Sequence, residues 1–193
     1  MKGICFKEPL FHATVRGSKT QTRRIMKPQP DDGQIWNSIL GLEIKPRYKK
    51  GELLYLKEPY LDDLSMKKTF YKYRKSDLNE LMKEYPEMNP DARGFWRNKL
   101  FMPQSEARYF IKITDVRVER LQEITEEDCI KEGIESFTKD ERVFKYGLEG
   151  WVWSDMPRSP IEAYAALIDQ INGKGTWESN PFVFVYDYEL MPF

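Results

Sequence analysis

The sequence predicts a mixed α+β fold: a partly closed β-barrel with flanking helices, interrupted by a long insertion. Three observations lead there. The elements run strand, helix, strand, strand, insertion, long strand, helix, helix, strand, with no repeated βαβ unit and no glycine-rich phosphate loop, so strands far apart in sequence must pair. Closure into a barrel then removes exposed edges. Aromatic residues make up 14% of the 193-residue chain and are spread along it, as in a chain that folds nearly throughout. This length suits one domain, residues 1–193, with the insertion at about 61–107.

Lys2 to Phe6 reads as a short strand. Residues 8–16 read as a helix with Pro9 in its first turn, Gly17 at its left-handed terminus and Leu10, Phe11, Thr14 and Val15 on its apolar stripe. Thr20 to Ile25 alternates as a strand, and a proline- and aspartate-rich loop follows at 28–33. Leu53-Leu54-Tyr55-Leu56 is a buried strand ending in the polar and aromatic group Lys57-Glu58-Pro59-Tyr60. Residues 61–107 carry a strand near Thr69 to Tyr73 and then a charged, proline-interrupted stretch. The longest strand signal is Arg108 to Leu121, where Phe110, Ile111, Ile113, Val116 and Val118 recur at near-alternating spacing, as in a central, bent barrel strand. Thr125 caps a helix over the acidic run Glu126-Glu127-Asp128, with Ile124 stapled onto Cys129 and Gly133 as the stop. Ser159-Pro160-Ile161-Glu162 is a capping box opening a helix with Tyr164, Ala165, Leu167, Ile168 and Ile171 on its core side and Asn172-Gly173 at its end. Phe182 to Leu190 closes the chain as a strand with both faces at least partly buried.

The formal net charge is zero, yet its distribution is uneven. Residues 1–50 hold 11 Lys/Arg against 4 Asp/Glu, residues 51–120 hold 14 against 12, and residues 121–193 hold 6 against 15. A basic first quarter and an acidic last third can build a positive face for phosphates, or internal ion pairs between the two. Cys5 and Cys129 lack metal-ligand spacing and His12 is the only histidine, so the sequence supports neither a zinc site nor a disulfide framework. Both thiols are expected reduced and buried, and no cofactor is expected. No apolar run is long enough to cross a bilayer, which makes a cytoplasmic protein the expectation.

The densest polar cluster is Gly17-Ser18-Lys19-Thr20-Gln21-Thr22-Arg23-Arg24, directly after the first helix. If extended, it puts Gln21 and Arg23 on one face and Thr22 and Arg24 on the other, so that Lys19, Thr22 and Arg24 can converge on one small site. An ammonium that becomes a base when desolvated, a hydroxyl and a guanidinium fork suit an anionic or carbonyl-bearing ligand. The same run also reads as a solvated basic face that complements the helix C-terminal dipole. Glu132 stands out for the opposite reason. A carboxylate in the last turn of its helix faces the negative end of the dipole at a cost of about 0.3–1 kcal/mol, which hints at function or is a small cost tolerated at the surface. His12 reads as structural or at most cleft-lining; Trp96, Trp151, Trp153 and Tyr60 read as base-stacking candidates or as packing aromatics.

The Gly17–Arg24 segment, the strand opened by Lys50-Gly51-Glu52 and closed by Lys57-Glu58-Pro59-Tyr60, and Ile113-Thr114-Asp115-Val116-Arg117-Val118-Glu119-Arg120-Leu121 with Ile124-Thr125-Glu126-Glu127-Asp128 together resemble the ASCH domain. The likeness is to the longer ASCH proteins of bacteria and phages. It covers residues 1 to about 60, about 108 to 135 and the C-terminal strand, and leaves 61–107 and 136–158 unexplained. The resemblance implies a PUA-like barrel with a cleft beside the first helix and a role with RNA or nucleotides. Family members include small amidohydrolases that deacetylate acetylcytidine and others described as ribonucleases. Carried over by position, the amidohydrolase lysine, threonine and glutamate are Lys19, Thr22 and Glu132.

The chemistry stands without the family: Thr22 as nucleophile, Lys19 as base once desolvated, and Glu132 as proton donor to a leaving amine suffice for amide hydrolysis without a metal. Arg24, Arg23, Glu58 and Tyr60 complete the expected site as substrate-binding residues, with Glu58 or Tyr60 at the cleft edge. The expected activity in this cleft is hydrolysis of an acylated or otherwise modified nucleoside or cleavage of RNA, and RNA or a modified nucleoside or nucleotide is the expected partner. A non-catalytic RNA or nucleotide reader and a phage or bacterial accessory interaction protein are the competing readings.

Overall fold

A computed structural model of the chain describes residues 1–30, 36–37, 42–63, 66–92 and 94–192. The loop expected at 28–33 lies outside the described residues from 31 onward. The elements are β1 (Lys2–Cys5), α1 (Glu8–Arg16), β2 (Gln21–Ile25), β3 (Trp36–Asn37), β4 (Leu42–Glu43), β5 (Leu53–Lys57), β6 (Tyr60–Asp63), β7 (Lys68–Tyr71), α2 (Lys75–Glu84), β8 (Phe110–Arg120), α3 (Glu126–Lys131), β9 (Glu135–Thr138), β10 (Phe144–Gly147), α4 (Pro160–Asn172) and β11 (Phe182–Leu190). This is a mixed α+β fold, as expected.

The central sheet has the order β1-β5-β8-β11-β2, with β1 and β5 parallel and the other pairs antiparallel. Among the described residues β1 and β2 are its two edges, and no hydrogen-bonded ladder joins them into a closed barrel. The edges meet through a side chain instead: Arg24 Nη2 on β2 donates to the Cys5 carbonyl on β1 at 3.0 Å. β8 and β11 form the long spine. Their register slips between Asp187 and Tyr188, so that Asp187 faces Asp115 while Tyr188 faces Ile113, which is the irregularity expected of a bent strand. β11 lies between β8 and β2, and Val183, Phe184, Val185 and Tyr186 are all buried, so both of its faces are covered.

Helix ends follow local chemistry. Gly17 takes φ 80°, and its N–H and that of Ser18 satisfy the Thr14 and Ala13 carbonyls, ending α1 and turning the chain toward β2. The Thr125 hydroxyl accepts from Asp128 N at 3.1 Å and opens α3. Ser159 caps α4 by accepting from Ile161 N, one residue earlier than the expected capping box. Ile124 and Cys129 both lie in the core, together with Leu10 and Phe11 of α1, Ile111 and Ile113 of β8, and Tyr164, Leu167 and Ile168 of α4. α4 packs against α3 and β10, the latter paired with β9 in a hairpin that structures the segment the resemblance left unexplained.

The insertion is a β6–β7 hairpin followed by α2 and a stretch that returns along β5. Its root is pinned by charge. Glu58, fully buried, accepts from Arg108 Nε at 2.9 Å and Nη2 at 2.7 Å, joining the residues that flank it. Burial raises the Glu58 carboxyl above its usual 4.5, and the Arg108 hydrogen bond partly offsets that rise. The returning stretch docks where Tyr55 Oη and Lys57 Nζ donate to the Met102 and Leu100 carbonyls.

Replacing Arg108 by Leu strands a buried carboxylate and should destabilise the fold by about 3–5 kcal/mol near neutral pH. A carboxyl whose folded pKa lies above the unfolded 4.5 contributes fully below that value and loses its contribution as pH rises through the folded pKa. Arg108→Leu raises the folded value further. The deficit against wild type, read from urea unfolding at a series of pH values, should therefore shrink toward pH 4 and grow above it.

Candidate functional site

The cleft is built from the end of one helix and the start of one strand. β2 begins where Thr20 N donates to the Lys131 carbonyl at 2.8 Å, which lays the Ser18–Gln21 segment across the C-terminus of α3. Glu132 is the C-cap of α3, and Gly133, at φ 98°, turns the chain away in a conformation a side chain would strain. A Cβ at Gly133 would also come within 3.1 Å of Leu10 Cδ2 and 3.4 Å of Lys19 Cβ and Cδ. The turn therefore seats Glu132 directly against Lys19. The last-turn carboxylate singled out by the dipole argument is neither exposed nor unpaired.

Lys19 is 1% exposed, and its Nζ donates to Glu132 Oε2 at 2.8 Å, to the Glu132 carbonyl at 2.8 Å and to the Gln21 carbonyl at 2.6 Å. All three ammonium protons are engaged. Burial lowers its pKa below the usual 10.5; the Glu132 charge and hydrogen bond oppose this, while Arg24 and Arg23 add to the lowering. Thr22 lines the same cleft, of about 210 Å³, with Arg23, Arg24 and Glu132. Its hydroxyl makes no hydrogen bond to any described residue. The expected convergence of Lys19, Thr22, Arg24 and Glu132 is thus present in the structure.

Strand alternation sorts β2 as expected, with one addition. Gln21 Nε2 donates to Asp187 Oδ1 at 2.7 Å and Asp128 Oδ1 at 3.2 Å, and Arg23 Nη2 to Glu119 Oε2 at 3.0 Å and Asp128 Oδ2 at 2.9 Å, all on the face opposite Thr22 and Arg24. Arg23 also reaches the cleft, where Nη1 stands 3.5 Å from Glu132 Oε1. Its two terminal nitrogens are committed to these carboxylates and to Gln21 Oε1, with buried Nε left without a partner among the described residues, which argues for positioning Glu132 over binding substrate. Burial works to raise the Asp128 carboxyl, but the Arg23 hydrogen bond and charge hold it below the usual carboxylate value.

Glu58 and Tyr60, expected at the cleft edge, do not line it. Glu58 is occupied by Arg108 at the root of the insertion, and Tyr60 is buried in β6, where it forms a bridge with Arg97. The tryptophans lie elsewhere too. Trp96 Nε1 donates to the Pro90 carbonyl, Trp151 packs over Gly147, and the Trp153 ring lies under the Lys139 and Lys145 ammonium groups. His12 packs against the Phe11 and Tyr73 rings, each centroid 5.8 Å away, which also touch each other at 5.1 Å. Cys129 is buried, which pushes its thiol up to about 12, whereas Cys5 is only half-buried and lines the cleft. Among the described residues no group of three His, Cys, Asp or Glu could hold a metal ion, and no helix is long and apolar enough to cross a membrane.

Two cleft residues escaped the sequence reading. Tyr164 of α4 was placed on a core-facing stripe, yet it lines the cleft, its phenol unpartnered among the described residues and held protonated by burial. Lys99, from the end of the insertion, donates to the Phe6 carbonyl and closes one side. Helical periodicity marks Tyr164 as inward-facing without saying that a void lies there, and nothing local connects Lys99 to β1.

Lys19→Met leaves Glu132 buried with one cationic partner fewer and should destabilise the fold by about 3–5 kcal/mol, whereas Thr22→Ala should change stability by less than about 1 kcal/mol. Chemical denaturation of both variants reads the difference. No protein-family model, curated protein or solved structure matches this chain.

Proposed function

We propose that this protein is a hydrolase that cleaves the acyl amide of a modified cytidine in the Lys19–Thr22–Glu132 cleft, on a sheet that we read as a partly closed, PUA-like barrel. The observation that carries the activity is the buried contact of Lys19 with Glu132 beside a threonine hydroxyl that no described residue occupies. The resemblance to ASCH amidohydrolases supports the same three residues, and the Arg24–Cys5 link across the sheet edges supports the barrel.

Burial disfavours the Lys19 ammonium, so passing one of its protons to Glu132 across the 2.8 Å contact, which leaves an amine, is the step that arms the site. The amine takes the Thr22 proton as Thr22 Oγ1 attacks the acyl carbon. Arg24, or the Tyr164 phenol, donates to the oxyanion that develops. The C–N bond breaks and Glu132 protonates the departing amine, leaving an acyl-threonine ester and a charged Lys19–Glu132 pair. Water then attacks the ester and gives a proton to Glu132 while Lys19 returns one to Thr22, which releases the acid and restores the neutral pair. Every proton is accounted for within the three residues.

One observation favours the alternative, a non-catalytic nucleotide or RNA reader: with three acceptors on Nζ, Lys19 also serves as a clamp between β2 and α3. Arginine distinguishes the two roles, since it keeps the charge but does not deprotonate. Purified protein should release cytidine from N-acylated cytidines. Lys19→Arg and Thr22→Ala should each lower kcat/KM by about 10³-fold, Thr22→Ser should retain part of it, and Glu132→Gln should impair it by about 10²-fold or more. Wild-type turnover in Lys19→Arg, or no turnover of any acylated cytidine, hands the cleft to the binding reading.

The proposed reaction needs a base and an acid each in its working form, so kcat/KM should be bell-shaped in pH. Because burial lowers Lys19, the alkaline limb should fall below 10.5. An alkaline limb at or above the ordinary lysine value would contradict this assignment.

A further inference from the structure

We infer that a second cavity, next to the cleft, takes the phosphate of a nucleotide, so that a phosphorylated cytidine is preferred over the free nucleoside as substrate. This deepens the hydrolase reading and rests on it for the base next door.

The cavity, about 540 Å³, opens in the gap between the sheet edges β1 and β2. Five cations line it, Arg24, Lys27, Lys45, Arg47 and Lys57, and among the described residues no aspartate or glutamate does. Elsewhere this chain matches its buried cations with carboxylates, as at Lys19, Arg23 and Arg108. Here it does not. Lys27 and Arg47 are exposed and neither is ion-paired with a described carboxylate, and Arg24 uses Nη2 on the Cys5 carbonyl. Lys45 meets Glu43 at 3.1 Å, a surface pair that water screens, while Lys57 donates to a carbonyl. Like charges gathered around a concavity repel one another unless an anion joins them.

The floor narrows the ligand to its phosphate. Tyr48 and Tyr186 are 4% and 1% exposed, and their phenols are used, Tyr48 donating to the Gly3 carbonyl at 3.4 Å and Tyr186 accepting from Arg47 N at 3.1 Å. Neither ring offers a free face for a base to stack on, so recognition here rests on charge. The 210 Å³ cleft is smaller than the roughly 300–1,000 Å³ typical of small-molecule pockets, and a nucleotide held in it must extend beyond it. The two cavities share Cys5, Arg24 and Ile25 as a common wall. A base in the cleft therefore directs its sugar past Arg24 and its phosphate toward Lys27 and Arg47.

Isothermal titration of the full chain at low salt with cytidine 5′-monophosphate, cytidine and inorganic phosphate tests this. The monophosphate should bind at least about tenfold more tightly than cytidine, and less tightly as salt is raised. Lys27→Ala with Arg47→Ala, both exposed positions outside the catalytic set, should remove that advantage and leave cytidine binding unchanged. Equal binding of cytidine and its monophosphate, or an unaffected double variant, overturns the proposal. Inorganic phosphate binding as tightly as the monophosphate overturns it as well, leaving a bare anion site. The two readings also fail separately. Loss of the monophosphate advantage in the double variant, with no acylated cytidine turned over, upholds the phosphate site and removes the hydrolase. Equal turnover of acylated cytidine and its 5′-monophosphate by wild type and double variant alike does the reverse.

Discussion

The buried Lys19–Glu132 contact is the constraint on which the site and its surroundings depend. It joins the first residues after α1 to the C-cap of α3, more than a hundred positions away, and does so where both side chains are buried. An ion pair taken out of water does not add stability by default, because desolvation opposes the attraction. This one is made tolerable by extra hydrogen bonds, two carbonyls on the ammonium and Arg23 near the second carboxylate oxygen. The same desolvation holds the Lys19 ammonium below the usual lysine range, against the opposing pull of Glu132.

Around it, the basic first quarter of the chain divides into two populations. Arg16, Lys19 and Arg23 turn to the acidic last third, pairing with Glu135 and Glu149, Glu132, and Asp128 respectively, and so tie the start of the chain to α3, β9 and the loop after β10. Arg24, Lys27, Lys45 and Arg47 turn to the gap between β1 and β2, where among the described residues only Lys45 meets a carboxylate, the exposed Glu43. Internal ion pairs and a cation-lined cavity thus occur in one molecule. Alternation along β2 separates them: Arg23 points to the carboxylates of β8 and α3, and Arg24, one residue on, to the cavities.

The insertion follows the same logic at a distance. Its hairpin and helix form a local unit, but its return strip docks on β5 and β1, so that Lys99 becomes part of the cleft wall. Glu58 and Arg108 close its root with a two-pronged hydrogen-bonded pair, a use of Glu58 that fits its position at the end of a strand better than a role with substrate.

Local chemistry in the sequence determined most of the elements: Gly17 as a left-handed stop, Thr125 as a cap, the near-alternation of Phe110 to Arg120, and the apolar run of Phe182 to Leu190 each act within a few residues and need no partner to be recognised. It also determined the two faces of β2, because strand periodicity is a property of the backbone, and it marked Glu132 through a clash with the helix dipole. Only the tertiary structure decided that Lys19 and Glu132 touch, that Glu58 belongs to Arg108, that Tyr164 borders a void and that β1 and β2 stay apart around a cationic cavity. These depend on which distant segments pack together, and on whether a polar group there finds a partner or is left facing empty space. Charge and periodicity are written along the chain. Burial and pairing exist only once it has folded.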